Sequence, residues 1–326
     1  MIHHPGRPRP STAAVVVALL IVYVVWGSTY LAIAVMIETM PPLLAAGVRY
    51  GSAGAIMLTA LAVHARWRRR NEPVERPTWA HWRSAFIIGA LLLLGGNGGV
   101  VLGELFIPSG IAAVLVAMDA IWLAVFDAAV TRRRPSGLVI GGLIAGIAGV
   151  AVLLVPVEGL DGLDPLGVAL VVGAGISWAA GSLYVRHAPL PRSGLLGTGL
   201  EMVAGGVLLI AAGSLLGEIG RTDVSSFSLS SIVAIVYLVV FGSIVAFTAY
   251  TWLLANVPVS TVATHAYANP IVAVALGAII LAEPITPRTL IAAAIIIGAV
   301  VAMVSGRPRT AAEAGPAPEA ATLEAE

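Results

Sequence analysis

Residues 108–130 read PSGIAAVLVAMDAIWLAVFDAAV, and residues 258–280, 150 positions later, read PVSTVATHAYANPIVAVALGAII. Laid over each other, Pro108 falls on Pro258 and Asp119 on Asn269, and the apolar runs between them coincide. The overlay continues to residues 153 and 303. Earlier in the chain the offset is 152, with Trp26 over Trp178, Leu43 and Leu44 over Leu195 and Leu196, Gly47 over Gly199 and Gly54 over Gly206. The change of offset is a difference in loop length. The chain therefore reads as two copies of one unit.

The unit is made of membrane spans. Of 326 residues 59% are hydrophobic and 11% charged, against roughly 25% charged in a soluble domain. Crossing about 30 Å of hydrocarbon takes about 20 apolar residues. Such runs fall at 12–33, 42–64, 84–104, 108–130, 136–156, 165–187, 193–216, 231–254, 258–281 and 287–305. The expected fold is an all-α integral membrane protein of ten transmembrane helices. Five crossings per copy reverse the side on which the second copy starts, so the two five-helix repeats are inverted. Carriers built on inverted repeats work by alternating access around a site near the bilayer midplane.

Charge orients the spans. Every basic side chain is Arg, since the chain has no Lys, and the formal net charge of +1 hides a separation of sign along the chain. The loop from Arg66 to Arg83 is the most basic segment and is expected inside. That choice puts Arg7, Arg9, Arg132 to Arg134, Arg186, Arg192, Arg307 and Arg309 inside as well. The outer side receives Glu38, Glu158, Asp161, Asp164, Glu218, Asp223 and Glu283, with only Arg221 and Arg288 against them. The expected organisation is a cytoplasmic tail at 1–11, a first repeat at 12–156, an external linker at 157–164, a second repeat at 165–305 and a disordered cytoplasmic tail at 306–326. The last of these is rich in Ala, Pro and Glu and buries too little to fold. Residues 1–11 lack the small-residue cleavage site of a secretory signal, so the first span is expected to stay. The expected location is the plasma (inner) membrane, multi-pass, with both termini cytoplasmic.

Several functions are excluded. Without Lys there is no Gly-Lys-Ser/Thr phosphate loop, and so no ATP-driven pump within this chain. Without Cys there are no disulfides, thiolate metal sites or thiol nucleophiles. No repeated pore motif or charged ring points to a channel. An intramembrane enzyme using Asp119 with His265 on a lipid or small metabolite is the alternative, without a His-x-x-x-His or Gly-x-Ser-x-Gly pattern to support it. No cofactor, metal or nucleic-acid partner is expected; the partners are a small-molecule substrate and membrane lipid, with the chain a monomer or homodimer.

Five pieces resemble the EamA type of the drug/metabolite transporter superfamily: Trp26-Gly27-Ser28-Thr29-Tyr30, Arg49, Pro108-Ser109-Gly110, Ala268-Asn269-Pro270 and Leu281-Ala282-Glu283. The resemblance covers nearly all of residues 12–305. It implies a ten-span carrier of two EamA repeats that moves small metabolites or drugs, often outward, with amino acids or related metabolites as the expected cargo. Spans one to four and six to nine are expected around the cavity, and the fifth and tenth at the periphery. In two places the chain departs from the family pattern. Ala120 stands where a mid-span Pro is common, which argues against a kink there, and Ala282 replaces a Gly, a change expected to matter little.

Polar residues inside spans are costly and therefore candidates for function. Asp119 and Asn269 each lie eleven residues into a span, roughly 16 Å deep, near the midplane. Asp119 fits a proton-coupling carboxylate, a counter-ion for a cationic substrate, or a neutral acid bonded to a neighbouring helix. His265 shares the face of Asn269 at i, i+4. Arg49 and Glu201 are repeat mates at unequal heights, so separate roles are expected: Arg49 toward an anionic group or an outer gate, Glu201 as a proton-coupling group of the inner half. Trp26 and Trp178 either line the cavity or fill the core. Ser28, Tyr30, Tyr250 and Asn97, the last within Gly95-Gly96-Asn97-Gly98-Gly99, complete the expected substrate-binding set.

Overall fold

A computed structural model of the chain describes residues 11–67, 75–132, 134, 137–154, 163–257, 259–262 and 264–305. The expected tails apart from Ser11, most of the 157–164 linker and the arginines at 68–70 and 133 lie outside these residues. The described residues are helical, with no strand among them. In chain order the apolar helices are α1 Thr12–Ile37, α2 Pro42–Ala65, α3 Trp79–Gly103, α4 Ser109–Val130, α5 Gly137–Leu153, α6 Pro165–Val185, α7 Gly194–Leu215, α8 Leu229–Leu253, α9 His265–Ile280 and α10 Pro287–Ala302. Seven are long and apolar enough to cross a membrane; α5, α9 and α10 have 10–17 residues.

Helix ends follow from side chains that satisfy the first free N–H groups. Ser11, Asp164, Ser193 and Ser228 cap α1, α6, α7 and α8. Thr78 caps α3 and forms a capping box with His81, so α3 begins at Trp79, five residues before the expected 84. Two of the expected spans are interrupted. α4 breaks at Ala117 and Met118, where Met118 N–H and Ile121 N–H bond three residues back, to Leu115 and Met118. The missing proline weakens the case for a kink at this helix, yet the break occurs without it: a tight turn replaces one α-helical step. α9 is preceded by a one-turn helix, Val259–Val262, and contains Pro270.

The two halves share structural markers at matching places. The third helix of each half carries a π-helical segment, Gly89–Asn97 in α3 and Leu238–Val245 in α8. Arg132 and Ala282, 150 residues apart, both take positive φ, 54° and 53°. The seam between α2 and α7 is more specific. A Cβ on Gly54 would sit 2.8 Å from Gly199 O, and one on Gly47 would sit 3.0 Å from Gly206 O. Gly47 aligns with Gly199 and Gly54 with Gly206, so each glycine meets the mate of the other. A twofold axis produces that self-complementary pattern, and it requires α2 and α7 to run antiparallel. Small residues let the backbones approach and gain dispersion where lipid offers no hydrophobic drive.

At one end of the bundle, charged side chains close helix termini on neighbouring helices. Glu218 follows Gly217 (φ 76°) at the end of α7 and accepts from Leu43 N and Leu44 N at the start of α2, at 3.2 and 2.8 Å. Glu283 follows Ala282 at the end of α9 and accepts from Ser109 N, Ser109 Oγ and Gly110 N at the start of α4, at 2.8, 2.8 and 3.1 Å. Each is a carboxylate at the positive end of a helix. Arg221 donates to Leu216 O and Gly217 O at the end of α7, and Arg288 to Val152 O and Leu153 O at the end of α5. Both basic residues at this acidic end are thus engaged by carbonyls. At the opposite end, Glu75 accepts from Arg192 N and Ser193 N, leading into α7, and Arg186 pairs with Asp127 at 2.8 Å. The backbone N–H of Arg192, with that of Ser193 and the charges of His81 and Arg192, holds the Glu75 carboxyl below its ordinary value.

Candidate functional site

The principal cavity lies between the halves and draws its wall from α1, α2, α3 and α4 on one side and α6, α8 and α9 on the other. Neither α5 nor α10 reaches it; they pack on each other, with Gly149 of α5 against Ile296 of α10. The expectation that the seventh span joins the cavity is corrected: helix α7 contributes nothing to the wall, because its small-residue face is committed to α2.

Two ionisable side chains of opposite sign face the cavity. Arg49, on α2, is 4% exposed; its Nε donates to Ser243 Oγ at 3.0 Å, and its guanidinium lies over the Tyr50 ring, 4.6 Å from the centroid. No carboxylate pairs with it among the described residues. Such a cation–π contact offsets part of the cost of burying the charge. Asp119 occupies the first turn after the break in α4. There the free N–H groups of the second helical segment favour a negative charge, which is what the interruption supplies.

The aromatic part of the wall is organised by the π segments. A π turn displaces a backbone carbonyl from its usual partner, and such bulges concentrate at functional sites. Trp26 Nε1 donates to Gly242 O in the α8 segment at 3.2 Å, while Gly96 of the α3 segment leaves room for the Trp178 ring, which a Cβ there would approach to 2.9 Å. Each tryptophan therefore seats on the third helix of the other half. Asn97 lines the cavity, and its Nδ2 donates to Leu92 O at 3.3 Å within the same π segment. Ser177 satisfies the neighbouring Leu91 O at 2.7 Å.

His265 lines the wall, with Nδ1 2.8 Å from Val262 O and its ring edge-on to Trp26 at 5.4 Å. Asn269 is 8% exposed; oriented to satisfy its surroundings, its amide nitrogen donates to Tyr23 O at 3.3 Å and His265 O at 3.2 Å. It thus ties α9 to α1 at the kink that Pro270 imposes. A hydrogen bond between Tyr23 and Thr264 reinforces the same junction.

Of the expected residues, Trp26, Tyr30, Arg49, Asn97, Asp119, Trp178, His265 and Asn269 line this one cavity. Ser28, Tyr250 and Glu201 do not. Ser28 bonds Val25 O and the Tyr237 hydroxyl on α8, at 2.9 and 2.6 Å, and it is Thr29 that faces the cavity. Tyr250 stands behind Trp26, their centroids 5.0 Å apart. Glu201 belongs to α7, and its backbone lies beside Gly89 of α3 rather than on the wall. Tyr50 and Phe247 are wall residues that the sequence pattern does not single out. A Tyr directly after an intramembrane Arg was the one available signal among them.

The EamA-like transporter model matches residues 13–155 and again 165–305, both halves of the chain. The chain belongs to the EamA-like transporter family. It is 37% identical over 293 residues to the inner membrane transporter YedA of Escherichia coli (strain K12), covering 89% of this chain and 90% of YedA. It is 26% identical to a protein of the same organism named "Probable amino-acid metabolite efflux pump", over 86% of this chain and 91% of that one. A solved crystal structure, 22% identical, superposes with a TM-score of 0.58 over 90% of this chain and 96% of its own. The EamA fold and the transporter class of the chain follow, and transport by this family implies a small-molecule substrate.

Proposed function

We propose that the chain is an alternating-access exporter of zwitterionic metabolites, amino acids or close relatives, in the inner membrane, with ten transmembrane helices in two inverted EamA repeats and both termini cytoplasmic. The domain limits taken from the sequence, 12–156 and 165–305, serve as the two moving units. The observation that carries this reading is the pair of opposite charges, Arg49 and Asp119, on an aromatic wall shared by both halves. A zwitterion presents a carboxylate and an ammonium a few ångströms apart. Arg49 offers a forked donor to the first, and Asp119 accepts from the second. Trp26 and Trp178 enclose the side chain from the two halves, so rocking one half against the other opens either face of the same site.

Proton coupling follows in this reading from competition at Asp119, which carries either the substrate ammonium or a proton. Glu201, off the cavity wall, is the second carboxyl assigned to coupling, in the inner half. The unit of function is a monomer or homodimer, and the substrate leaves unaltered.

Counterflow in proteoliposomes tests the proposal. Purified protein is loaded with unlabelled amino acids, and the uptake of each radiolabelled L-amino acid is followed. Substrate-specific exchange is expected, with Arg49→Gln and Asp119→Asn each losing about ten-fold or more, the equivalent of one charge-assisted hydrogen bond. Abolition of pH-driven flux is expected in Asp119→Asn and Glu201→Gln; full pH-driven flux in both removes the coupling assignment. Chemical conversion of a labelled metabolite by the protein overturns the carrier reading in favour of an intramembrane enzyme.

A further inference from the structure

Glu104 is the residue that the substrate site leaves unexplained. It follows Gly103 at the end of α3, is 9% exposed, and neither carboxylate oxygen has a hydrogen-bond partner. Among the described residues, the two other carboxylates set against helix starts at this end are used: Glu218, buried, on Leu43 N and Leu44 N, and Glu283, half-buried, on Ser109 and Gly110. An ionised carboxylate removed from water with no donor costs several kcal/mol, so Glu104 in this arrangement is the neutral acid.

The groups around it define what it can do. Val100, one turn before Glu104 and accepting from its backbone N–H at 2.9 Å, lines the same cavity wall as Arg49 of α2 and Tyr30 of α1; with Glu283 from beyond α9, Arg49 and Tyr30 are the charged and titratable groups on the Glu104 side. On the α6 side the contact is apolar, with Gly103 packed against Gly167 and Val171; Asp164, at the start of α6, is occupied by Leu166 N. Arg49 is therefore the cation available to Glu104, and Arg49 is itself a buried guanidinium held by a neutral serine and a tyrosine ring. The two are halves of an ion pair held apart, one on α2 and the other at the end of α3.

Resting on the carrier reading above, we propose that Glu104 is a proton-carrying residue of the transport cycle, and that Arg49 is the partner that discharges it. In the arrangement described here Glu104 holds its proton and Arg49 turns to Ser243. In the alternate arrangement Arg49 leaves Ser243 for Glu104. The carboxyl O–H bond then breaks heterolytically, the electron pair stays on Glu104, and the proton goes to water at the acidic end. Substrate and proton are thereby linked through one side chain, because Arg49 serves the substrate carboxylate and Glu104 by turns.

The test needs no substrate, so it fails or succeeds independently of the counterflow experiment. The full chain in lipid nanodiscs is titrated while its infrared spectrum is recorded, and the carbonyl band of protonated carboxylic acid is followed. A band lost in Glu104→Gln, and retained in Asp119→Asn and Glu283→Gln, is expected. In Glu104→Asp, which keeps the acid should the glutamine variant fail to fold, the band is expected to move in frequency. In Arg49→Gln it is expected to persist about one pH unit or more higher than in the wild type, since the cation that discharges the acid is gone. A spectrum unchanged by Glu104→Gln, or in folded Glu104→Asp, overturns the assignment. A titration unchanged by Arg49→Gln overturns the role of Arg49.

Discussion

Replacing Gly206 by alanine tests the seam where the two halves meet. A Cβ at position 206 would lie 2.5 Å from Gly51 N, 2.7 Å from Gly51 Cα and 2.9 Å from Gly47 O. All three are backbone atoms of α2, so no side-chain rotation relieves the contact and the helices must separate. Overpacking of a rigid site costs typically 1–3 kcal/mol, and a backbone obstacle puts this substitution at about 3 kcal/mol. Gly173 of α6 is the control: a Cβ there would meet nothing within 4 Å, and alanine is expected to gain roughly 0.5–1 kcal/mol through helix propensity. The measurement is thermal unfolding of the purified full chain in detergent, read by tryptophan fluorescence. A lower midpoint for Gly206→Ala and an equal or higher one for Gly173→Ala are expected. Gly54→Ala, whose Cβ would meet Gly199 O and Val203 N at 2.8 Å, should behave like Gly206→Ala. If Gly206→Ala unfolds at the wild-type temperature, the close approach of α2 and α7 is wrong, and with it the crossed glycine pairing.

Ala282→Gly is expected to stabilise the protein by about 1 kcal/mol, because φ 53° is a left-handed conformation that costs an alanine side chain about that much and glycine little; an unchanged or lowered unfolding midpoint would contradict it. The tether of Glu75 to the start of α7 should depend on pH. Its carboxyl is held below the ordinary value of 4.5 by the backbone N–H groups of Arg192 and Ser193 and nearby positive charge. The tether is then in full force above about 4.5 and is lost as pH falls through the lower folded value. Hydrogen exchange at Arg192 and Ser193, corrected for intrinsic rates, should speed up over that fall, and Glu75→Gln should remove the dependence.

Much of the architecture was legible because a repeat supplies its own internal comparison. The alignment of Gly47 with Gly199 and Gly54 with Gly206 marked the repeat, and matching depths of Asp119 and Asn269 placed both near the midplane, where they line one cavity. Other details were hidden for a common physical reason. A soluble helix shows by its polar face which way it points, whereas α1 is apolar nearly all round, so Ser28 and Thr29 could not be told apart by pattern. The π segments shift the phase of α3 and α8, which decides that Gly242 meets Trp26. No residue preference announces that shift. The role of Ala282 was hidden too, since a missing glycine reads as minor until φ is known.

Glu104 shows the limit of reading function from depth alone. It stands at the last position of its expected span, where a carboxylate is cheap and unremarked, while Asp119 stands out at the centre of its own. What makes Glu104 informative is the company it lacks. Among the described residues, Glu218 and Glu283 are tied to helix starts and Arg221 and Arg288 to helix ends. Against that background an unpartnered acid near an arginine with no carboxylate cannot be a cap or a structural ion pair. The repeat mate of Arg49 is Glu201, a reversed charge outside the cavity. The two oppositely charged side chains on the wall, Arg49 and Asp119, therefore both belong to one half, and the second half adds Trp178, Phe247, His265 and Asn269 to the same wall.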